Sequence, residues 1–512
     1  MKRIAIVIAL IIAAGTAGLF APESVAASGA GTPEQRAARF FDALRLRPPE
    51  RLAFLLEMPK GADLHNHLSG AVYAETFVQW AAANALCVNQ TTFALAQPPC
   101  DATAGLSKVS AALTDATLFR QIIDSWSMRN WEKSGQNGHD HFFDTFGKFG
   151  LAGNGQMGAM LAEVRARAAR GHVSYMELML TPDNGESTAL GLQVGWNGDS
   201  ESTLADLTAR GIASAATQAK QNLRDAEAQK DTLLKCGTPQ ADPGCAVTVR
   251  YVWQVSRGSA LGPVFAQMVT GFALANDTDS KFVALNLVQP EDGLSSMQNF
   301  GAQMQMLKFL RPRYPRAHLT LHAGELVPGI VPPDGLRFHI RDSIEVAGAE
   351  RIGHGVDILH ETAAIDLLTM MARRRVMVEI CLTSNDGILG VRGRDHPLAT
   401  YLRYGVPVSL STDDEGVARS EMSMEYLKAA NEQGLGYVQL KTMARTGLEY
   451  AFIAGASVWR DARKFSLVPA CAAHKPGQVK PSATCGQFLA ASEKARLQWR
   501  LERDFTAFER RY

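Results

Sequence analysis

The stretch Leu64-His65-Asn66-His67-Leu68 follows Met58-Pro59-Lys60-Gly61 and sets two histidines two residues apart. Because side chains alternate between the two faces of an extended strand, His65 and His67 point the same way and can bind one metal ion together. Catalytic zinc normally has more ligands than two imidazoles, so the rest must come from elsewhere in the chain. For an isolated H-x-H motif, the alternative is a pair of polar residues at a strand end.

Short β-branched, apolar runs recur along the chain between long Ala-, Leu- and Arg-rich amphipathic segments. Eight strands alternating with helices predict an α/β fold with a parallel sheet, most simply a (β/α)8 TIM-type barrel with helical and loop insertions. A helix is predicted over residues 33–58, between Pro33 and Pro59. The eight predicted strands are Ala62–Leu64, His172–Leu180, Val247–Val255, Phe282–Val288, His318–Leu321, Arg351–Ile352, Val376–Ile380 and Val406–Leu410.

The chain has 512 residues, of which 46% are hydrophobic, enough for one large domain with insertions or for two domains. We predict a signal peptide at residues 1–27 and a single barrel domain over residues 28–512. Three segments fit poorly into a bare barrel because they are polar or rich in Gly, Pro and Cys, and we interpret them as surface excursions. They are residues 87–138, 184–245 and 466–486.

The amino terminus has the layout of an export signal. Lys2 and Arg3 precede an apolar run from Ile4 to Phe20, and Val25-Ala26-Ala27 provides small residues for cleavage near Ala27. An uncleaved anchor is the alternative, but the apolar run is short and is interrupted by glycine and threonine. The pattern favours a periplasmic or secreted protein with no stable membrane insertion after cleavage.

Charge and cysteine content bear on partners and compartment. The chain has 52 basic and 51 acidic residues, and removing residues 1–27 takes away Lys2, Arg3 and Glu23, which leaves 50 of each. A chain without net charge offers no field for holding nucleic acid. Six of the seven cysteines form close pairs, which predicts disulfides in an oxidising compartment, and the seventh, Cys381, is predicted to be a buried free thiol. The pairs are Cys87/Cys100, Cys236/Cys245 and Cys471/Cys485.

Two motifs resemble sites but lie in the wrong context. Gly153-Asn154-Gly155-Gln156-Met157-Gly158 matches G-x-G-x-x-G, yet the phenylalanines before it recur at helical spacing, and a dinucleotide fingerprint must follow a strand. We therefore predict a loop. His139 and His141 form a second H-x-H motif in that helical stretch, where residues two apart face about 200° away from each other, so we expect no shared metal.

Three later strands also end in residues suited to metal binding or acid–base chemistry. His322 ends an apolar strand and is followed by Ala323-Gly324-Glu325, while His354 stands between two glycines after Arg351-Ile352. Asp413 and Asp414 follow the run Val406–Leu410, where two adjacent acids would repel each other unless one binds a cation and the other titrates. Because barrel chemistry gathers where the strands end, we expect these side chains to converge with His65 and His67.

The motifs L-H-x-H-L, H-A-G-E, R-I-G-H-G, C-x-T-S-N (Cys381 to Asn385) and S-T-D-D, in this order, resemble the adenosine/AMP deaminase family of metal-dependent hydrolases. The resemblance spans about residues 58–455 and implies one zinc ion per chain. It also implies hydrolytic deamination of adenosine or 2′-deoxyadenosine, with Glu325 serving the purine N1 and His354 and Asp414 handling the attacking water. The implied metal ligands are His65, His67, His322 and Asp413, and the implied substrate contacts are Ser69, Gly70 and Gly324.

The sequence departs from the family pattern at two places. Ser69 stands where relatives that act on adenosine often have an aspartate that contacts the ribose. Gln289-Pro290-Glu291-Asp292 replaces the usual G-D-E-like turn, and Pro290 has no N–H to offer a purine nitrogen. A 5′-modified or N6-substituted adenine nucleoside therefore remains an alternative substrate.

Two other classes of function remain open. An amidohydrolase that cuts amides or phosphoesters would more typically have two metals and a bridging lysine, and no lysine ends a predicted strand here. A secreted binding or signalling module on a deaminase scaffold is the other alternative, although the full set of catalytic residue types argues against an inactive enzyme.

Overall fold

The computed structural model of the protein describes residues 31–512, so the predicted signal peptide at residues 1–27 lies outside the described part. Eight strands form one parallel sheet in which each strand pairs with the next along the chain. This order, with helices between successive strands, confirms the predicted (β/α)8 barrel. The strands are β1 (Gly61–His67), β2 (Val173–Leu180), β3 (Thr248–Ser256), β4 (Phe282–Val288), β5 (His318–Ala323), β6 (Arg351–His354), β7 (Met377–Ile380) and β8 (Val408–Leu410).

The barrel closes where the chain just beyond β8 returns to β1. Asn66 and Asp413 form a parallel bridge, in which the Asp413 N–H donates to the carbonyl of His65 at 2.8 Å and the His67 N–H donates to the carbonyl of Asp413 at 3.3 Å. A side-chain contact also stabilises this closure between β1 and the chain beyond β8, since the Thr412 hydroxyl donates to Asp63 at 2.5 Å. Closure of the barrel therefore sets Asp413 beside the two histidines of β1.

The strands are buried on both faces because helices surround the sheet. β2 and β4 each have one half-buried residue and are otherwise buried, as is usual for parallel sheets covered by helices. The helices are Pro33–Ala43, Pro48–Glu57, Leu68–Ala71, Ala74–Ala83, Ala116–Ser125, Gly138–Phe149, Met157–Arg170, Glu186–Val194, Ser200–Ala209, Ala213–Leu233, Leu261–Asn276, Leu294–Leu310, His339–Glu345, Ala364–Arg374, Leu382–Leu389, Leu398–Tyr404, Met422–Glu432, Tyr437–Tyr450, Ala483–Ala491 and Glu493–Glu509.

The predicted strands agree with the observed ones to within a few residues, and Phe282–Val288 is the same in both. β1, β5 and β6 extend further than predicted, to His67, Ala323 and His354, so the strands themselves carry the histidines. The single helix predicted over residues 33–58 is wrong. The chain forms two helices there, because Pro48 has no N–H to continue the first helix and keeps Arg47 out of the helical conformation (φ −128°, ψ 73°).

The three segments interpreted as excursions form small substructures. Residues 87–138 contain a three-stranded antiparallel sheet (Cys87–Asn89, Leu95–Ala96, Leu106–Lys108), residues 184–245 contain three helices, and Trp459–Asp461 pairs with Ser466–Leu467. The structure confirms the predicted disulfides Cys87–Cys100, Cys236–Cys245 and Cys471–Cys485, and the buried free Cys381. Over residues 31–512, no helix is both long and apolar enough to cross a bilayer.

Candidate active site

Three histidines and one aspartate meet at the carboxyl ends of the strands. His65 and His67 come from β1, His322 from β5, and Asp413 from the turn after β8; all four are buried. The His322 Nε2 lies 3.0 Å from the Nε2 of His65 and 3.3 Å from that of His67. The Asp413 Oδ1 lies 3.4 Å and 3.3 Å from the same two nitrogens. We call these four side chains the tetrad.

The spacing of the tetrad fits a metal ion. With zinc–ligand bonds of about 2.0–2.1 Å, the ligand atoms of a tetrahedral site lie roughly 3.3–3.4 Å apart, close to the distances observed. Two neutral imidazole nitrogens at 3.0 Å would repel each other if both presented lone pairs, unless a cation lies between them. The Asp413 Oδ1, which also faces this point, has no hydrogen-bond partner within residues 31–512. The donor set therefore fits a divalent metal such as zinc.

A neighbouring acceptor fixes the orientation of each imidazole. The Nδ1 of His65 is 2.7 Å from the Glu379 carboxylate, that of His67 is 2.6 Å from the Gln254 amide oxygen, and that of His322 is 2.8 Å from the Asn286 amide oxygen. An Nδ1–H that donates to such an acceptor leaves the Nε2 lone pair free for a metal. The three acceptors therefore set the tautomers that metal binding requires.

The Glu379 carboxylate is itself held by a buried arginine. The Arg351 Nε lies 2.7 Å from Glu379 and its Nη2 lies 2.5 Å from Glu177. Burial opposes ionisation of Glu379, but the Arg351 charge and the hydrogen bond with His65 outweigh it and lower its pKa to about 2. Glu379 is therefore ionised when it accepts from His65.

A second possible ligand set shares His65 and Asp413 and adds His354 and Cys381. Burial and the nearby Asp413 charge raise the pKa of the Cys381 thiol well above its ordinary value, which disfavours the thiolate that a metal would bind. The His354 Nδ1 lies 3.0 Å from the Asn385 amide nitrogen, so it has no acceptor of the kind that the tetrad histidines share. The tetrad is the better ligand set.

Glu325 and His354 lie beside the tetrad and are not its members. The Glu325 carboxylate is 3.6 Å from the His354 Nδ1. The Glu325 Oε1 and the His354 Nε2 are buried polar atoms with no hydrogen-bond partner in the described chain. Burial, together with the charges of Asp413 and Glu291, raises the pKa of Glu325 well above its ordinary value, so the side chain carries a proton that it can donate.

Glu291 fixes the loop that bears Glu325. Its carboxylate accepts the N–H of Gly324 at 3.1 Å and that of Glu325 at 2.8 Å. Burial raises the pKa of Glu291, but His339 and Arg257 outweigh it and lower that pKa to about 2. The turn Gln289–Asp292, which departs from the family pattern, thus contributes a carboxylate that positions Glu325.

Asp414 lies against the first turn after β1, where a Cβ on Gly70 would be 1.6 Å from its Oδ1. Its Oδ1 is buried and has no hydrogen-bond partner in the part of the chain described. Burial and the adjacent Asp413 charge raise its pKa to about 7, although His67 opposes the shift. The pKa of Asp413 shifts the other way: burial raises it, but the hydrogen bonds with His65 and His67 outweigh burial and lower it.

The backbone is unusual at two of these residues. Asp413 has φ +58° and His354 has φ +67°, a left-handed conformation that costs most residues free energy and that is found more often for Asp and His. In this conformation Asp413 supplies its carboxylate to the tetrad, and the His354 ring lies beside it, with its centroid 4.8 Å from that of His65.

A cavity of about 410 Å³ opens onto the tetrad, within the range of small-molecule sites. Its lining combines aromatic and aliphatic side chains with three members of the tetrad, His67, His322 and Asp413, and with Glu325 and Asp414. Gly70 and Gly324 lack room for a side chain, since a Cβ would lie 1.6 Å from the Asp414 carboxylate and 2.4 Å from that of Asp357 respectively. The cavity is lined by His67, Ser69, Phe142, Phe143, Phe146, Gln254, Val288, Gln289, Pro290, His322, Glu325, Ile388, Asp413 and Asp414.

The structure thus brings together all the residues predicted for the site. Sequence reasoning missed the acceptors Gln254, Asn286 and Glu379, and the positioning role of Glu291. A single polar residue inside an otherwise apolar strand is the sequence feature that could have pointed to such an acceptor, as in Val283-Ala284-Leu285-Asn286-Leu287. Neither predicted decoy forms a site of the suspected kind: the His141 Nε2 bonds the Ser127 carbonyl at 3.0 Å, and a helix, not a strand, precedes Gly153.

A larger cavity of about 720 Å³ lies at the opposite end of the barrel, against His318 and Arg351, where β5 and β6 begin. That end of a TIM-type barrel contributes to stability rather than catalysis. Lys60 is also at that end, where its ammonium donates to the carbonyls of Leu55, Met58 and Gly171.

A sequence model of the adenosine deaminase family matches residues 156–458. The chain belongs to the adenosine deaminase family. The matched range begins after His65 and His67 in the sequence. In the barrel, however, these two residues lie next to His322 and Asp413, which are within the matched range.

Curated adenosine deaminases from bacteria match part of the chain. The adenosine deaminase of Salmonella heidelberg is 38% identical over 174 residues, which are 34% of this chain and 47% of that protein. The enzyme of Pectobacterium atrosepticum is 40% identical over 184 residues, or 35% of this chain and 49% of that protein. The chain thus spans about half the length of the relatives it matches.

Solved structures of other members of this fold are similar at low sequence identity. Arabidopsis ADAL complexed with GMP superimposes with a TM-score of 0.50 at 19% identity, covering 78% of this chain and 94% of that one. The apo N6-methyl-AMP deaminase of Arabidopsis thaliana gives a TM-score of 0.50 at 18% identity, covering 79% and 94%. These similarities support the barrel fold of this adenosine deaminase family member.

Proposed function

We propose that the protein is a zinc-dependent hydrolase that converts adenosine or 2′-deoxyadenosine and water to inosine or 2′-deoxyinosine and ammonia. The observation that carries the proposal is a group of buried polar atoms beside the tetrad, on Glu325, His354 and Asp414, that have no hydrogen-bond partner within residues 31–512. Glu325 and Asp414 also line the cavity. Buried atoms of this kind cost free energy unless a ligand satisfies them. Family membership supports the same reaction.

The tetrad would hold the metal, with His65, His67, His322 and Asp413 as ligands. When bound there, zinc would lower the pKa of water towards neutrality and so supply a nucleophile. The Nδ1 atoms of the three histidines contact Glu379, Gln254 and Asn286. These contacts hold the imidazole rings in the orientation that metal binding requires, without the metal.

Glu325 supplies the acid. Attack at the ring carbon that carries the amino group breaks the aromaticity of the ring and leaves negative charge on the adjacent nitrogen. A protonated Glu325 donates a hydrogen bond to that nitrogen and stabilises the charge. The ionised Glu291, which accepts from the backbone of residues 324 and 325, holds this donor in place.

His354 and Asp414 orient the attacking water and transfer its proton to the departing amine. The water's oxygen forms a bond to the ring carbon, the carbon–nitrogen bond breaks, and the amine leaves as ammonia. The apolar wall of Phe142, Phe143, Phe146 and Ile388 fits a flat heterocycle and excludes bulk water from it.

The substrate class is a small purine compound. Relatives on this fold have been solved in complex with GMP and IMP, which are purine nucleotides. An N6-substituted adenine nucleoside is a second candidate, because a solved neighbour is an N6-methyl-AMP deaminase. Among residues 31–512, the cavity lining includes Glu325, Asp413 and Asp414 but no Lys or Arg, which does not favour binding of nucleic acid.

We also propose export to the periplasm or the extracellular space. Three disulfides among residues 31–512 support an oxidising compartment. Fractionation of cells that produce the full chain tests this proposal, and recovery of the reduced protein from the cytoplasm alone would contradict it.

A panel of adenosine, 2′-deoxyadenosine, N6-methyladenosine and cytidine, followed by ammonia release, tests the reaction. We expect ammonia from the first two and none from cytidine. Methylamine instead of ammonia, released from N6-methyladenosine faster than ammonia from adenosine, would favour the second candidate. A protein that retains zinc but turns over none of the panel would contradict the proposal.

A further inference from the structure

A cavity of about 520 Å³ lies at the end of the barrel where the strands begin, opposite the tetrad. Arg375 stands two residues before β7, and Val406-Pro407 leads directly into β8. We call this cavity the basal cavity. The helices that contribute to its lining are Ala364–Arg374, Leu398–Tyr404 and Tyr437–Tyr450.

Three arginines line the basal cavity without an acid beside them. Arg373, Arg375 and Arg463 are among its lining residues, and within residues 31–512 no Asp or Glu is. The Arg463 Nη2 donates to the Ala372 carbonyl at 3.4 Å. No carboxylate of the described chain forms an ion pair with any of the three arginines. Their positive charges are therefore available to an anionic ligand.

Arg375 is the least exposed of the three arginines. It follows the helix Ala364–Arg374 in a left-handed conformation (φ +60°), at a position that glycine usually occupies. Its Nε donates to the Tyr450 hydroxyl at 2.9 Å. Within residues 31–512 its two terminal amino groups have no hydrogen-bond partner. The guanidinium group is thus held in place with donors to spare.

The rest of the lining is mainly apolar. One of its few polar groups, the Thr442 hydroxyl, already donates to a carbonyl of its own helix at 2.8 Å. A lining that is mostly apolar with a few polar groups is typical of small-molecule sites, whose volumes are about 300–1,000 Å³. The larger apolar residues are Leu402, Val406, Pro407, Val438, Met443 and Phe465.

We infer that the basal cavity binds an amphipathic organic anion, in which a carboxylate head group is joined to an apolar body. Guanidinium groups bind carboxylates through paired N–H donors, and three of them surround this one cavity. The apolar lining covers the hydrocarbon body and removes it from water. The site is separate from the tetrad, so the inference does not depend on the proposed function.

Three small molecules separate the contributions of the head group and the body. Octanoate has both, octanamide has the same body with an uncharged head, and acetate has the head alone. Acetate also reports on any binding of a carboxylate to a zinc ion at the tetrad. By calorimetry with the zinc-loaded full chain, we expect one octanoate per chain, bound at least about tenfold more tightly than either of the other two.

Removal of one arginine localises the site. Arg375→Gln should weaken octanoate binding by about tenfold or more, because charge-assisted hydrogen bonds are lost. The control is Arg210→Gln, at an exposed arginine that does not line the basal cavity. It should bind octanoate as the unaltered protein does.

Addition of one negative charge provides a second variant that preserves the fold. Gln439 lines the basal cavity, and its side-chain oxygen accepts the Gly436 N–H at 2.9 Å. Gln439→Glu keeps this acceptor and should weaken octanoate binding several-fold by repulsion. Gln218→Glu makes the same change at an exposed position of helix Ala213–Leu233 and should have no effect.

Each result supports or overturns the inference. Equal binding of octanoate and octanamide, or of octanoate and acetate, overturns it, as does unchanged octanoate binding in both Arg375→Gln and Gln439→Glu. Binding to phosphatidylglycerol vesicles without binding to octanoate overturns it in favour of a lipid head group. Adenosine deamination is measured separately, so its absence would contradict the proposed function and leave this test intact.

Discussion

Gly70 lies directly against the carboxylate of Asp414. A Cβ built on Gly70 would be 1.6 Å from the Asp414 Oδ1 and 2.4 Å from its Cγ, distances at which one of the two groups must move. Gly70 lies in the short helix Leu68–Ala71 that follows the histidines of β1. The turn after the first strand therefore determines where the carboxylate after the last strand can lie.

Gly70→Ala should displace Asp414 and lower kcat by roughly a hundredfold or more, because a catalytic group moved by about 1 Å loses its alignment. Zinc content should not change, since the tetrad is untouched. The control is Gly301→Ala, in helix Leu294–Leu310, where an added Cβ meets no atom within 4 Å. Unaltered turnover in Gly70→Ala would show that catalysis does not depend on the position of Asp414.

Glu325→Gln should keep the zinc and lose turnover by roughly a hundred- to ten-thousandfold, because the amide cannot supply a proton. The raised pKa of Glu325 keeps the acid protonated near neutrality, so the wild-type rate should fall as the pH rises through that pKa. The variant should lack this alkaline decline. Glu345→Gln, an exposed carboxylate elsewhere, should behave as wild type. Near-normal kcat in Glu325→Gln would exclude the proposed role.

Much of this site can be predicted from the sequence, because two regular features of β-structure determine where its main residues lie. Alternation along β1 aligns His65 with His67, and parallel strands bring His322, His354 and Asp413 to the same end of the barrel. The acceptors Gln254, Asn286 and Glu379 could not be assigned, because their partners depend on how neighbouring strands are staggered, which no single strand reveals. The break at Pro48 was missed because the flanking apolar residues continue a helical spacing across it.

Asn286→Ala should weaken zinc binding by roughly 10–100-fold, because His322 loses the acceptor that orients its ring. Competition with a chromogenic chelator measures the affinity. Asn286→Asp retains an acceptor at the same place and should keep most of the affinity. Equal affinities for wild type and Asn286→Ala would show that the His322 contact does not matter.

His139 connects the helix Gly138–Phe149 to the turn after β4, since its Nε2 lies 3.0 Å from Asp292 and its Nδ1 lies 3.0 Å from Asp140. Burial opposes protonation, but Asp292 and Asp140 outweigh it and raise the pKa of His139. The pair therefore stabilises the fold fully below the ordinary histidine pKa of about 6.5, and this contribution is lost as the pH rises through the higher folded-state pKa.

His139→Gln should accordingly lower the free energy of unfolding by about 0.2–1 kcal/mol at acidic pH and by less at alkaline pH. Thermal unfolding of both proteins across this pH range measures the difference. His360→Gln, at an exposed histidine in the short helical turn Ile358–His360 that follows β6, serves as the control. A larger destabilisation at alkaline than at acidic pH would contradict the sign of the effect.

The most direct test is the ultraviolet spectrum of adenosine incubated with protein that holds one zinc ion per chain. The account predicts that the spectrum changes to that of inosine while one equivalent of ammonia appears, and that removal of the metal stops the change and its return restores it. An unchanged adenosine spectrum with the zinc-loaded protein would contradict the claim that this tetrad and its neighbouring acids deaminate a purine.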